Sequence, residues 1–355
     1  KIGRPNHPHF SMAGFGRDDY LVGDIAAQCY HISDESIFDA NTINVPLLEQ
    51  VMDYVLYRKM KVDPSNHPIV FTISPAVNAN TLDDIASLFF DNYQVPALRF
   101  IEQPTAYAAA LGIESGFFVT YDNHEASCSA IQNGQFVKKG FFSSTFNRSS
   151  IRSFVKQSIK DCGVRWVGSN KIAEVFTNMY AAQNYEEELK TVSPVHLSPN
   201  YYSNGSSTPV PLVAIQATEI LFRPQMILER DEALNQLGIV DLIVQSIQAV
   251  SSDAEGDTPA ATGEEGHCIF LYGAIFSVHG VIGRLTTELE KHLKKFSIYL
   301  IEWQQYTEAE NWARGNDVWR GAKYHSNLST FKDTCTTVLQ FRSNNNSMIL
   351  CEEDL

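Results

Sequence analysis

The residues best suited to chemistry lie in two short loops. One is the turn of a strand–turn–strand segment at 116–134, which carries Asp122 and His124, and the other, at 273–280, carries His279. A carboxylate near an imidazole can act as an acid–base pair or bind a metal ion. Neither loop supplies Cys, His and carboxylate side chains at ligand spacing, so we interpret both histidines as surface or packing residues.

The first turn has the layout of a phosphate-binding loop but lacks the residue types that such a loop needs. Glycines let backbone N–H groups approach phosphate oxygens, and carboxylates hold the water molecules of the metal. Residues 120–124 read Thr-Tyr-Asp-Asn-His, with no glycine and a single carboxylate, Asp122. At about 4 Å that carboxylate repels a phosphate charge by roughly 4 kcal/mol at an effective dielectric constant of 20. The turn therefore predicts weak phosphate binding or none.

The elements that must position these loops follow from hydrophobic periodicity. In chain order, the sequence predicts a helix at 45–56, a buried strand at 68–74, helices at 82–89 and 104–111, a hairpin at 117–137, helices at 151–159 and 172–189, a strand at 268–272, a helix at 281–293 and a strand at 297–301. This alternation is typical of an α/β protein. Residues 193–211 predict turns and short strands, and the acidic stretch 251–266 predicts an exposed, mobile insertion.

Composition narrows the function classes. The chain has 355 residues, a length that suits two domains, and 44% of them are hydrophobic. Its formal charge is −14. Such a charge disfavours nucleic acid or an anionic membrane as a direct partner and favours basic protein segments. The six cysteines are scattered, so we expect reduced thiols in an intracellular chain. We expect no secretory signal at the amino end, and no apolar run reaches the roughly 18 residues of a membrane span.

Several motifs resemble those of actin and the actin-related proteins. They are Gly3-Arg4-Pro5, Tyr20-Leu-Val-Gly-Asp24, His67-Pro68 with Thr72, Pro75, Asn78, Phe90 and Val95-Pro96-Ala97, then Glu219 with Leu221-Phe222-Arg223-Pro224, and finally Val318-Trp319-x-Gly321 with Leu328-Ser329-Thr330-Phe331. They occur in the family's order and together cover nearly the whole chain. The chain is therefore identified as a divergent actin-related protein.

The resemblance implies an α/β, actin-like fold: two ribonuclease-H-like halves around a central cleft that, in actins, holds ATP and a metal ion. The order of the family's four subdomains implies an outer subdomain at 1–34, its neighbour at 35–112 with 316–355, a third at 113–146 with 237–315, and the other outer subdomain at 147–236.

Carried over residue by residue, the resemblance implies a degraded nucleotide site. The family's Asp-Ser-Gly-Asp-Gly hairpin falls on Thr120, Tyr121, Asp122, Asn123 and His124. An alternative alignment moves Asp122 onto the first carboxylate but disrupts the spacing from Gly116 to Gly134. The family's Gly-Gly-Thr-Thr-Met-Tyr-Pro-Gly falls on 273–280, where Gly273 and Gly280 are kept and Ala274 replaces the second glycine. The Lys-Glu pair near adenine falls close to Thr177 and Asn178. We expect no bound cofactor or metal, with ATP or ADP and Mg²⁺ as the alternative.

Gln103 matches the glutamine that positions the attacking water in actins. Without carboxylates to order that water, a neutral amide supplies little catalysis, so capping or packing of the helix start is the simpler interpretation. Glu102 is interpreted as structural or cleft-facing. The family's first phosphate hairpin has no counterpart here, and we expect its strands to come from preceding residues or from another polypeptide.

The resulting expectation is a non-catalytic structural subunit of a larger assembly. A chromatin remodeller, dynactin and an axonemal or cytoskeletal complex all remain open, as do nuclear and cytoskeletal locations. Its partners are expected to be proteins, including actin or another actin-related protein. The expected contact residues are Phe10, Met12, Phe15 and Tyr20 of the outer subdomain, and Trp319.

Two alternatives remain. One is an ATP-binding, slowly hydrolysing actin-like protein able to make filament-type contacts. The other is a chaperone of the Hsp70 type, which the segment at 102–112 resembles. The spacing between His67 and Pro96 and the lack of a following β-rich domain count against the chaperone, because one shared fold element is weak support for function.

Overall fold

The computed structural model describes residues 2–5, 20–23, 26, 32–34, 37–39, 42–121, 125–144, 146–161, 167, 169–191, 210–226, 236–251, 267–293, 298–302 and 317–348. Several predictions lie outside these ranges: the contact residues Phe10, Met12 and Phe15, the tip residues Asp122, Asn123 and His124, and the acidic stretch beyond Ser251.

The chain divides into two compact units. Unit 1 comprises Lys1–Ala106 and Val318–Leu355, and unit 2 comprises Tyr107–Asp317. The division into four subdomains stays a prediction.

Unit 1 contains three small sheets and a helical layer. Its strands are β1 (Ile2–Pro5), β2 (Leu21–Val22), β3 (Ile32–Asp34), β4 (Phe38–Asp39), β5 (Thr42–Ile43), β6 (Ile69–Ile73), β7 (Ala97–Glu102) and β13 (Thr336–Thr337). Its helices are α1 (Val45–Asp53), α2 (Ala79–Ser87), α3 (Gln103–Leu111), α10 (Asp317–Ser326) and α11 (Val338–Ser343), with π-helices π1 (Tyr54–Met60) and π2 (Leu88–Asn92) and 3₁₀ turns Pro64–Asn66 and Phe331–Thr334. The unit boundaries fall inside α3 and after the first residue of α10.

The predicted helix at 45–56 begins at a well-formed cap but continues further than predicted. The Asn44 side chain accepts a hydrogen bond from Leu47 N at 3.1 Å, and proline stands in the first turn of α1. From Tyr54 the helix widens into π1, which ends at Lys61 in the left-handed region. Hydrophobic spacing predicted the helix, whereas its π geometry depends on packing against the rest of unit 1.

The prediction of a buried strand at 68–74 is partly wrong. Strand β6 pairs in parallel with β7, which also pairs with β13 in the order β13-β7-β6. Among the described residues β6 is thus an edge strand, and only Ile73 of its five residues is fully buried. An apolar run identifies a strand, but its neighbours decide how much of that run is covered.

The core of unit 1 lies between this sheet and helices α1 and α2. Aromatic rings dominate it: Phe71 lies 5.7 Å from Phe89 and 6.2 Å from Phe100, and Phe90 lies 5.1 Å from Phe341 of α11. Helix α11 therefore closes a core built mainly by residues 43–100.

Unit 2 is built on a five-stranded sheet in the order β10-β9-β8-β11-β12. The strands are β8 (Gly116–Tyr121), β9 (Ala126–Gln132), β10 (Gln135–Ser144), β11 (His267–Tyr272) and β12 (Ile298–Glu302). The helices are α4 (Arg148–Asp161), α5 (Ser169–Thr177), α6 (Tyr185–Thr191), α7 (Val210–Phe222), α8 (Ile239–Ser251) and α9 (Val281–His292), with 3₁₀ turns Pro224–Met226 and Ala274–Ser277. Strands β8, β9 and β10 are antiparallel neighbours, and β11 runs parallel to both β8 and β12.

The predicted helix at 172–189 is wrong in one respect, because the structure breaks it into α5 and α6. Between them, Tyr180 forms a β-bridge with His279, and Ala181 N donates to His279 O at 2.8 Å. A backbone that pairs with a distant segment cannot also satisfy a helix ladder. The break is a tertiary effect that helical periodicity could not reveal.

A mixed α/β architecture is therefore confirmed, with the larger core under the unit 2 sheet. Within the described ranges, every helix is too short or too polar to cross a bilayer.

Candidate functional site

Parallel pairing places two of the predicted loop residues side by side. Tyr272 of β11 lies opposite Thr120 of β8, so Gly273 follows next to Tyr121. The carboxyl ends of parallel strands meet at one sheet edge, which is where α/β proteins place their sites. Both loops of unit 2 thus begin at the same edge.

The hydroxyl at the position of the family's first carboxylate is already engaged. Thr120 Oγ1 lies 2.7 Å from Ser127 Oγ on the opposing strand β9, and Ser127 Oγ donates to Glu125 Oε1 at 3.3 Å. The pair joins the two strands just before the tip. Thr120 therefore holds the hairpin together and offers no carboxylate to a metal's waters.

The neighbouring Tyr121 points its ring into the core of unit 2. Its side chain is 3% exposed, and its hydroxyl finds no hydrogen-bond partner among the residues that the structure describes. Burial raises the pKa of Tyr121 because the phenolate would lose its hydration. This side chain contributes apolar area rather than chemistry.

Both glycines retained in the 273–280 loop are required by close backbone contacts. At Gly273, with φ of 134°, a Cβ atom would stand 2.4 Å from Tyr121 O, and at Gly280, with φ of 82°, it would stand 2.6 Å from Ala181 O. Such φ values and separations admit only glycine. The two residues clamp the loop against the end of β8 and against the segment that joins α5 to α6.

Between the two glycines, the positions of the family's threonine pair carry apolar side chains. Ile275 is 6% exposed and Phe276 is 4% exposed, and both belong to the core of unit 2. The backbone here forms the 3₁₀ turn Ala274–Ser277, with Ala274 at its first position. Side chains of this kind line a core and cannot hydrogen-bond a phosphate or a metal-bound water.

The positions that fall near adenine in the family are used by the protein's own backbone. Thr177 Oγ1 donates to Ala173 O at 2.9 Å, and Asn178 Nδ2 donates to Glu174 O at 2.8 Å. Both bonds close the last turn of α5, and both residues are exposed. The amide and the hydroxyl thus terminate a helix.

A buried ion network behind the 273–280 loop is the feature that sequence reasoning missed. Arg284, in the first turn of α9, donates to Ala182 O and to Glu288 Oε1, the latter at 2.9 Å, and its Nη2 lies 3.4 Å from Glu219 Oε1. Arg223 Nε lies 3.3 Å from the same Glu219 oxygen. In the sequence, Glu219 stands out only as part of a motif. No local pattern connects it with Arg284, which is 65 positions away in the sequence.

Burial sets the electrostatics of this network. Glu219 is 2% exposed, and desolvation raises its pKa even though two arginines act in the opposite direction. For Glu288, desolvation is outweighed by hydrogen bonds from Lys291 and Arg284, so its pKa is lowered. The network fixes the first turn of α9 against the α5–α6 segment and thereby holds the loop.

The remaining predicted site residues lie in unit 1. Gln103 is half-buried at the first position of α3, directly after β7. The guanidinium of Arg4 lies over the ring of Tyr20, 4.7 Å from its centroid. Trp319 is 60% exposed on α10, with Lys323 Nζ 5.3 Å from its ring centroid.

Comparison with known proteins supports the family that the motifs indicate. The family model described as Actin matches residues 2–194, which is more than half of the chain. The chain therefore belongs to the actin family. It is similar to Actin-related protein 4 of Arabidopsis thaliana, with 21% identity over 119 residues. That alignment covers 34% of this chain and 27% of the relative's length.

Proposed function

We propose that this actin-related protein is a non-catalytic structural subunit that docks in a larger multi-protein assembly. Its role is to present the surfaces of an actin-like fold to protein partners, while the two loops of unit 2 serve packing. Membership of the actin family and the geometry of the unit 2 loops support the proposal.

The observation that carries the proposal is the burial of Ile275 and Phe276. Phosphate binding needs polar groups that face the ligand, and restoring a hydroxyl here would mean removing two side chains from a packed core. The described residues of these loops thus do not fit a nucleotide phosphate.

The retained glycines agree with this reading. A glycine in a phosphate loop is needed because a ligand approaches the backbone, whereas Gly273 and Gly280 are approached by carbonyl oxygens of the protein itself. A carbonyl oxygen also carries partial negative charge, which disfavours an anion at the same place. The glycines therefore persist for a structural reason.

The direct test is equilibrium titration of the protein with a fluorescent ATP analogue in the presence of Mg²⁺. We expect no saturation up to about 1 mM analogue, which corresponds to a binding free energy weaker than about 4 kcal/mol. Saturation in the micromolar range overturns the proposal and favours the ATP-binding alternative.

A second measurement separates residual turnover from contamination. Any ATP hydrolysis in the preparation should proceed at the same rate in the variant Gln103→Ala. The reason is that Gln103 cannot position an attacking water effectively without nearby carboxylates that order this water. A severalfold drop in hydrolysis in Gln103→Ala, with folding intact by circular dichroism, would assign the activity to this chain.

A further inference from the structure

Residues 57–61, hereafter the protruding turn, form the end of the continuous helix made by α1 and π1. All five are exposed, whereas Leu56 immediately before them is buried in the core. A surface helix normally hides one face. Here all residues of the last turn are exposed, so within the described residues this turn stands out from the packed body of unit 1.

The protruding turn combines apolar and basic side chains. Tyr57 is 50% exposed and Met60 is 59% exposed, two of the six large apolar side chains that stand out as exposed in the described residues. The other three members are Arg58, Lys59 and Lys61. Tyrosine, methionine and arginine are enriched in protein interfaces, and methionine adapts to irregular pockets.

A set of side-chain contacts holds the turn rigid at its base. Tyr93 Oη lies 3.0 Å from Glu49 O and 2.9 Å from Asp53 Oδ1, where the helix changes from α to π geometry. The ring of Tyr93 lies 6.2 Å from that of Tyr57. π-helical segments are rare and are frequently found at functional sites. A rigid projecting element loses little conformational entropy on binding.

The charge of the turn indicates the chemistry of its partner. Arg58 and Lys61 form no ion pair within the described ranges, while the nearby carboxylates Glu49 and Asp53 receive hydrogen bonds from Asn92 and Tyr93. Opposite charge around an apolar anchor gives specificity and fast association. The net charge of −14 and the exposed apolar side chains disfavour a polyanion such as nucleic acid.

We propose that the protruding turn inserts into an apolar groove with an acidic rim on a partner protein. Tyr57 and Met60 fill the groove, and Arg58 and Lys61 meet carboxylates at its edge. This inference rests on the proposed function only in assuming that the chain works as a docking subunit. It does not depend on the state of the nucleotide loops.

The first test is zero-length carbodiimide coupling of the purified native assembly, which joins a lysine Nζ to a carboxylate in direct contact. Lys61 is expected to couple to Asp or Glu residues of another protein. Lys156 and Lys160, exposed on α4, serve as controls and are not expected to do so. The proposal is overturned if Lys61 couples to no partner while the assembly stays intact, or couples only to a second copy of this chain.

The second test compares two charge reversals of equal size. We expect the partner identified by coupling to bind the R58E/K61E variant at least about tenfold more weakly than the wild type. The same partner should bind the control variant R152E/K156E, which is changed on α4, as tightly as the wild type. Met60→Ser tests the apolar part, with a loss of severalfold. Equal binding by both double variants, or equal loss in both, contradicts a local contact at the turn.

The two proposals fail in different ways. If the assembly forms and neither the charge reversal nor Met60→Ser weakens it, the docking role stands and the protruding turn is not the contact. If the wild-type chain has no protein partner and binds ATP tightly, the proposed function itself fails. Release of the chain by nuclease treatment would identify nucleic acid as the occupant and also overturn the proposal.

Discussion

Replacing Arg284 by methionine should destabilise unit 2 strongly and in a pH-dependent way. The substitution keeps most of the side chain's volume but leaves Glu219, which is 2% exposed, without its buried partner. Breaking one side of a buried ion pair costs about 3–5 kcal/mol. We expect the lower end of that range, about 3 kcal/mol, because Arg223 still lies 3.3 Å from the carboxylate.

The pH dependence follows from the pKa of Glu219. Burial already raises this pKa in the folded protein, and loss of Arg284 raises it further. A group with a raised folded pKa contributes stability below its unfolded pKa, and this contribution is lost as the pH rises through the folded pKa. The deficit of Arg284→Met should therefore be larger at pH 8 than at pH 5.5.

The assay is urea unfolding, together with a thermal melt of each variant, both followed by circular dichroism at the two pH values. For a unit of roughly 200 residues, a loss of about 3 kcal/mol lowers the melting temperature by about 6–12 °C. The double variant R284M/E219Q should recover much of the stability and lose the pH dependence, since no buried carboxylate remains. As a control, Arg342→Met removes an exposed pair with Asp91 and should cost less than about 1 kcal/mol.

The reasoning is refuted if Arg284→Met costs less than about 1 kcal/mol, or if its deficit is the same at both pH values. It is also refuted if the double variant is as unstable as the single one, because the penalty would then come from packing and not from an unpaired charge.

Three further predictions concern tight contacts and burial. Gly273→Ala should destabilise unit 2 by roughly 2–4 kcal/mol in urea unfolding, because its Cβ meets backbone at positive φ. As its control, Gly283→Ala in the first turn of α9 should change the stability by less than about 1 kcal/mol, because its Cβ would meet the end of the flexible Gln183 side chain, at 3.2 Å. Gly321→Ala should disrupt the packing of α10, since its Cβ would stand 1.8 Å from the carbonyl oxygen of Ala106 in α3, within unit 1. Its control is Gly112→Ala, where a Cβ would meet no described atom within 4 Å, and which should lower the free energy of unfolding by only about 1 kcal/mol. Burial, together with a nearby arginine, lowers the pKa of His325 in the folded protein. Unit 1 should therefore lose stability as the pH falls below about 6.5, the ordinary pKa of histidine. Unfolding measured from pH 7.5 to 5.5 should show this loss in the wild type and not in His325→Leu.

Much of the fold could be predicted from local patterns. Period-3.6 apolar spacing located α1, α2, α4 and α9, and short apolar runs located β6, β8, β11 and β12 to within a few residues. These elements are predictable because each pattern reflects the burial of one face. The single hairpin predicted at 117–137 is in fact two successive hairpins, β8–β9 and β9–β10, and the second turns at Asn133-Gly134, with φ of 53° and 78°.

The helix break at 178–184 and the half-buried state of β6 were not predictable in this way. The break depends on a bridge between Tyr180 and His279, which are 99 positions apart. The exposure of β6 depends on which strand lies beside it, and a single strand carries no record of its neighbour.

By itself, the sequence determined the family, through the order and spacing of its motifs, and the residue types of the two loops of unit 2. Only tertiary structure decided what those types do. Ile275 and Phe276 became core residues, Gly273 and Gly280 became points of backbone contact, and Glu219 and Arg284 became a buried pair. The physical reason is that burial, close approach and ion pairing depend on distances between segments far apart in the chain, which residue identity alone does not specify.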